Sequence, residues 1–249
     1  MARTSSASSS LRPDRPLHGS VRVAGIALAA DCAGALYWAD ESLLVVADLH
    51  LEKGSSFAQR GTLLPPYDTT ETLARLARLI ACYAPRTVIA LGDNFHDGGG
   101  PARLSAQNRA SLTALQRGRD WVWIAGNHDP DPADGIGGTF VESLTIGALT
   151  FRHQTAGDAQ GDAQGDAQGE ITGHLHPVAR IVQRGRAVSR RCFATNGKAL
   201  VMPAFGAYTG GLNIRDRAFA AVFGTHRFTA HMLGDNRLYA FAASRCLTD

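Results

Sequence analysis

The sequence predicts a layered α/β domain containing two sheets. Three observations carry this. Strand-like and helix-like segments alternate through the first half of the chain, which implies parallel pairing with helical crossovers. The helical pattern stops near Phe140, and short β-like runs continue to the C-terminus. The 249 residues are 45% hydrophobic and 19% charged, which suits a globular protein with a sizeable core.

The first twenty residues are rich in Ser, Arg and Pro and lack the apolar stretch of a secretory signal. They are read as a disordered tail, residues 1–20, ahead of a single domain over 21–249. Strand-like runs follow at Val21–Leu28, Ala35–Trp38 and Leu43–Ala47. "YDTTETLARLARLIACYA" then reads as a helix, because Leu73, Leu76, Ile80 and Tyr83 fall on one face. Asp68 and Glu71 stand at the spacing of a capping box. "TVIALGDN" is a buried strand, Ala102–Arg117 a second helix and "WVWIAGNHD" a third buried strand. The later β-like runs are Thr150–His153, Glu170–Thr172, Val178–Gln183, Leu200–Met202, Phe219–Phe223 and Leu238–Phe241. Between them, residues 157–169 repeat "GDAQ" in tandem; Gly, Asp and Gln cannot bury a face, so a flexible loop is expected.

The chemistry lies where the apolar runs stop. "LLVVADLH" ends in Asp48 and His50; "VIALGDNFHD" ends in Asp93, with Asn94, His96 and Asp97 next. "WIAGNHD" ends in Asn127, His128 and Asp129, "LTFRH" in His153, and "ITGHLHP" in His174 and His176. A single aspartate there would read as a turn or a helix cap. Six of the nine histidines, however, collect in these segments. In open α/β sheets ligands bind beyond the carboxyl ends of strands, so the endings are expected to converge on one metal site. Asp, Asn and His together suit a first-row divalent ion, and the absence of cysteine from the set argues against a structural zinc knot.

DLH at Asp48–His50, GDN at Gly92–Asn94, GNHD at Gly126–Asp129, His153, and GHLH at Gly173–His176 resemble, in that order, the calcineurin-like metallophosphoesterases. "ADLHLEKGSSFAQRG", "LPPYDTTETL", "GDNFHD", "GHLHP" and "MPAFGAYTGGLN" resemble the ligase-associated DNA damage response endonucleases among them. The resemblance implies a four-layer αββα sandwich, with two mixed sheets flanked by helices and a dinuclear centre between the sheets. Carried over by motif, Asp48, His50, Asp93 and His176 would hold one ion. Asp93, Asn127, His153 and His174 would hold the other. His128 would be the general acid and Asp129 its orienting partner. A metal-bridging hydroxide would attack phosphorus. Lys53, Arg60, Asn94, His96 and Asp97 lie beside these motifs and are candidates to contact substrate, though structural roles suit them as well.

The implied function is a manganese-dependent phosphodiesterase or endonuclease acting on single-stranded or branched DNA ends in repair, with iron or zinc as alternative metals. DNA ligase, helicase and exonuclease-like proteins are the implied partners. Two other readings remain: a phosphoesterase for a nucleotide or other small phosphate ester, and a non-catalytic scaffold on the same fold. A formal net charge of +3 permits a polyanionic partner without requiring one. The cluster Arg180, Arg184, Arg186, Arg190 and Arg191 reads either as a backbone-tracking patch or as a solvated face. No run approaches the roughly 20 apolar residues of a membrane span. The four cysteines form no CxxC pair, so a cytoplasmic protein with reduced thiols is expected. Deletion of Gly157–Gln168 is expected to leave metal binding intact, as measured by the metal content of the purified variant.

Overall fold

The computed structural model describes residues 18–132, 135–155 and 168–249. Residues 157–167 of the repeat and most of the N-terminal tail lie outside these residues, whereas Gly169, expected in the repeat loop, opens a strand. His18, Gly19 and Ser20 belong to the first strand, which therefore includes three residues expected in the tail.

The first sheet is built from β1 (His18–Val23), β2 (Ile26–Asp31), β3 (Leu36–Trp38), β4 (Leu43–Val46), β5 (Thr87–Leu91), β6 (Asp120–Ile124) and β7 (Thr139–Val141), side by side in chain order. The first four pair antiparallel, and β4 through β7 run parallel. The run expected as one strand over Val21–Leu28 is a hairpin instead. Ala24 and Gly25 take φ of +48° and +79°, which closes a two-residue turn between Val23 and Ile26.

The second sheet contains β8 (Ser143–Ile146), β9 (Leu149–Arg152), β10 (Gly169–Thr172), β11 (Pro177–Gln183), β12 (Arg186–Thr195), β13 (Ala199–Val201) and β14 (Leu212–Asn213) in the order β14-β11-β12-β13-β10-β9-β8. β15 (Thr229–Leu233) pairs with β12, and β16 (Leu238–Ala242) pairs with β15. β9, β10 and β13 are parallel neighbours.

The helices are α1 (Lys53–Gln59), α2 (Asp68–Tyr83), α3 (Gly100–Arg103), α4 (Ala106–Gln116) and α5 (Ala220–Phe223). Three apolar layers bind the assembly. Between the sheets, Val45, Ile89, Leu91 and Ile124 meet Leu149, Phe151, Ile171 and Leu200, all buried. Outside the first sheet, Leu73, Leu76 and Ile80 of α2 and Leu112 of α4 cover Leu44, Val46, Val88 and Ala90. Outside the second, Phe219 and Phe223 pack on Cys192, Ala194 and Val201. Two mixed sheets flanked by helices give the αββα sandwich that the resemblance implied.

Several local expectations are corrected. Asp68 is the first helical residue of α2 rather than its cap; its carboxylate accepts from Gly54 N–H at 3.0 Å and anchors α1. The helix expected over Ala102–Arg117 breaks into α3 and α4, because Ser105 leaves the helical conformation and caps α4 by accepting from Asn108 N–H at 3.1 Å. Phe219–Phe223 is not a strand but a 3-10 turn leading into α5. Most of the arginine cluster falls on the β11–β12 hairpin, where alternation puts Arg190 and Arg191 on opposite faces. Arg191 turns inward and donates to the Ala204 carbonyl at 2.7 Å. The cluster is thus divided between two faces rather than forming one patch.

Among the described residues, no helix is long and apolar enough to cross a membrane. Leu76 is fully buried between α2 and the first sheet. Leu76→Ala should destabilise the domain by about 2–5 kcal/mol, measured by denaturant unfolding.

Candidate metal centre

The parallel strands of both sheets end at one edge of the sandwich, and the candidate ligands occupy the turns that follow. Asp48 and His50 come after β4, Asp93 after β5, Asn127 and His128 after β6, His153 after β9 and His174 after β10. His176 departs from this rule: it immediately precedes β11. Five of these residues, Asp48, His50, Asp93, His174 and His176, have φ between +43° and +67°. That left-handed region is sparsely used by non-glycine residues, Asp and His being among the more tolerant, and it gathers at functional sites. Here it turns each chain end sharply enough to aim its side chain back at the sheet edge.

The turns are locked to one another. His50 N–H donates to the Asp93 carbonyl at 2.9 Å, Asp48 N–H to the Gly92 carbonyl at 3.2 Å and Gly173 N–H to the His153 carbonyl at 3.0 Å. Gly92 itself is required: it has φ of +72°, and a Cβ there would overlap the His153 ring.

Among the described residues, the side chains form three overlapping groups: His50, His96 and His128 make one without a carboxylate, and the other two share Asp93. Asp48, His50, Asp93 and His176 place one ligand atom each within 4.8 Å of the others, and so do Asp93, His153 and His174. His50 Nε2 lies 3.4 Å from His176 Nε2, and Asp48 Oδ1 lies 3.4 Å from the latter. His153 Nε2 lies 3.3 Å from Asp93 Oδ1, 3.0 Å from Asn127 Oδ1 and 3.2 Å from His174 Nδ1. Asp48 is wholly buried and Asp93 nearly so. Asp48 is stabilised by His174 N–H, which is 3.1 Å from both of its oxygens. Asp93 accepts from His128 N–H at 3.0 Å.

The donor chemistry fits a cation. His153 Nδ1–H donates to the Leu91 carbonyl at 3.1 Å, so in the neutral ring the bare Nε2 faces the acceptor oxygens of Asp93 and Asn127. Acceptors turned on acceptors in a buried site call for a positive charge between them. Titration behaves accordingly. Burial would lower the His153 pKa, but Asp93, to which the protonated ring's Nε2–H would donate, and the Asp48 charge outweigh it and raise it. Burial, reinforced by His176, pushes His50 down to about 3, which keeps that imidazole neutral and its lone pair free. Burial would raise the Asp93 carboxyl, yet His153 and the His128 amide hold it well below the usual range.

His128 stands at the rim with its side chain 40% exposed, within reach of a substrate. Its Nδ1–H donates to the His96 carbonyl at 2.8 Å, and Nε2 turns inward to 3.9 Å from Asp93 Oδ2. Asp129 was expected to orient this ring, but its carboxylate accepts from Asn94 and Phe95 N–H at 2.9 and 3.1 Å instead. It shapes the turn after β5, and burial pushes its pKa up to about 6.

The remaining candidates divide. Asn94 is buried, and its amide donates to the Ile124 carbonyl at 3.0 Å, a packing role. Asp97 is paired with Arg103 at 2.7 Å. The His96 ring stays at the site, with centroids 5.6 Å from His50 and 5.4 Å from His128. Burial lowers its pKa, and the nearby Lys53 charge adds to this. Lys53 opens α1 and donates to the Tyr208 carbonyl at 2.9 Å; Arg60 is exposed just past the end of that helix. Gln154 was not singled out from the sequence. Its amide nitrogen lies 3.3 Å from Asn127 Oδ1 and 3.2 Å from His174 Nδ1, which bridges ligands from the two sheets. Only its place next to His153 could have signalled it.

An αββα sandwich with a carboxylate–imidazole cluster at the sheet edge defines a metallophosphoesterase. Residues 42–178 match the calcineurin-like phosphoesterases, and the chain belongs to that family, whose members use divalent metals to hydrolyse phosphoesters. The fold is similar to that of nuclease MPE from Pseudomonas putida, with 26% identity and a TM-score of 0.66 over 90% of this chain and all of that one. It is also similar to YfcE, a phosphoesterase from E. coli, with 15% identity and a TM-score of 0.39 over 81% of this chain and 98% of that one. No curated protein matches the sequence.

Gly92→Ala should displace the His153 ring. The expected result is a loss of divalent-metal binding, read by titration calorimetry, and a lower melting temperature.

Proposed function

We propose that this chain is a metal-dependent phosphodiesterase that cuts DNA, with two divalent ions held by donor sets that share Asp93. The observation that best supports the reading is the sharing itself: one buried carboxylate belongs to both of the groups that contain a carboxylate. Asp48, His50, Asp93 and His176 would hold one ion, and Asp93, Asn127, His153 and His174 the other. Bound divalent ions supply charge neutralisation at the phosphoryl oxygens and water activated for attack near neutral pH. Manganese is the proposed metal, and iron or zinc suits the same donors. The likeness to a Pseudomonas nuclease over that protein's whole length supports a nucleic-acid substrate.

The chain's own contribution to bond breaking is the proton. An alkoxide leaves poorly, so the departing sugar oxygen needs an acid within hydrogen-bond reach. His128 suits the task, because the His96 carbonyl fixes its Nδ1–H and leaves Nε2 facing the cluster, so that the imidazolium form gives its Nε2 proton to the leaving oxygen and remains as the neutral ring. Lys53, Arg60 and the His96 ring line the side of α1 and offer charge and hydrogen bonds to a phosphodiester strand. Asp129 and Asn94 hold the turn that carries Asp93. A place in DNA repair, beside a DNA ligase, a helicase and an exonuclease-like protein in the cytoplasm, completes the proposal.

The test is manganese-loaded protein supplied with single-stranded oligonucleotides and with a small diester. Cleavage of the oligonucleotides is expected; hydrolysis of the small ester alone would favour a nucleotide-type phosphoesterase, and failure to retain any divalent ion would favour a scaffold. Asp93→Ala should lose both metals and all activity. His128→Ala should keep the metals and lose about 10²–10⁴-fold in turnover.

A further inference from the structure

The segment Pro203–Gly211 runs from the end of β13 to the start of β14 along the rim of the metal centre. Its course is fixed at every stage. Phe205 N–H donates to the Ala47 carbonyl at 2.8 Å, and Gly206 N–H to the Asp48 carbonyl at 3.1 Å. Ala207 N–H donates to Thr72 Oγ1 at 3.0 Å and Thr209 Oγ1 to the Gly206 carbonyl at 2.9 Å. Arg75 donates to the Phe205 carbonyl at 2.6 Å and lies over the Phe205 ring. At Gly206 the segment passes so close to β4's turn that a Cβ would overlap the Leu49 carbonyl. Just past its far end, Leu212 N–H donates to the His176 carbonyl at 3.0 Å. The loop therefore starts on the backbone of one candidate ligand and finishes on that of another.

Midway stands Tyr208, with φ of +59° and 44% of its surface exposed. A bulky residue in the left-handed region is an outlier, and such outliers cluster at ligand clamps. Lys53 Nζ holds the conformation by donating to the Tyr208 carbonyl. Yet Tyr208 belongs to none of the three apolar clusters of the core. Among the described residues, the phenol hydroxyl has no hydrogen-bond partner and no ring stacks on it. A strained backbone thus places an exposed aromatic residue on the loop that joins the Asp48 and His176 backbones, its carbonyl held by an ammonium with N–H donors to spare.

We propose that Tyr208 is a stacking platform for an unpaired base of DNA next to the scissile phosphate, with Lys53 on the adjoining phosphate. Every base offers a π-face, so such a platform binds single strands without reading sequence. In a duplex that face is covered by the neighbouring base and must be unstacked first. The ring would therefore bias the site toward single-stranded DNA. The proposal rests on the DNA reading above.

The experiment uses the manganese-loaded full chain and a single-stranded oligonucleotide, with one abasic residue stepped along it. For the wild type, one abasic position beside the cut is expected to raise KM by about 10- to 100-fold, the range for loss of one base–aromatic stack. Tyr208→Ala should raise KM on the intact strand by a similar factor and lose sensitivity to that abasic position; Tyr208→Phe should restore both. If the wild type cuts DNA and Tyr208→Ala shows an unaltered KM or keeps the abasic penalty, the stacking role is overturned and the nuclease reading stands. If the wild type cuts no DNA, both fall.

Discussion

Two carboxylates, Asp48 and Asp93, lie out of water at the tips of adjacent parallel strands. A buried negative charge is costly unless it is hydrogen-bonded and balanced, and the surrounding turns do both. The His174 and His128 amides donate to the oxygens, and imidazoles from both sheets crowd around them. The His174 amide is placed by a left-handed turn, and the turns after β4 and β5 are tied to each other by backbone hydrogen bonds. The carboxylates would make the sheet edge unstable if left alone; surrounded in this way, they form an electronegative nest suited to cations. That single requirement explains the strained backbone, the absent side chain at Gly92 and the fixed His153 tautomer together.

The same requirement explains why so much of the centre was legible in the sequence. An apolar run that stops at Asp or His is unusual once and informative when it recurs at β4, β5, β6, β9 and β10. The period of alternation gave the first sheet's parallel core, because buried strands such as β5 read as unbroken apolar runs. What escaped was whatever depends on a partner elsewhere in the chain. Asp68 looks like a helix cap, but its carboxylate answers to Gly54 N–H, fourteen residues back. Asp129 sits beside His128 in the chain, yet its oxygens serve the turn after β5, while the histidine is held by a carbonyl, which no side-chain pattern can announce. Gln154 carries no motif at all.

The second sheet was harder to read for a related reason. Its strands face solvent along part of their length, so β12 opens with arginines and β15 carries a half-buried histidine. Charge on an exposed sheet face looks, in sequence, like a loop or a binding patch. The divided arginines show the difference: Arg191 braces the loop that carries Tyr208, while Arg190 faces the other way. One residue of that run is thus part of the wall of the centre, which the cluster as a whole is not.

The apolar layer between the sheets has a role beyond cohesion. Asp48, His50, Asp93, Asn127 and His128 ride on one sheet, and His153, His174 and His176 on the other. The gap across which the two sets face each other is set by how thickly Val45, Leu91, Leu149 and Phe151 fill the interior. The hydrocarbon filling therefore acts as a calliper, and a methylene added or removed deep inside, far from any polar atom, would be felt as an altered bite at the edge.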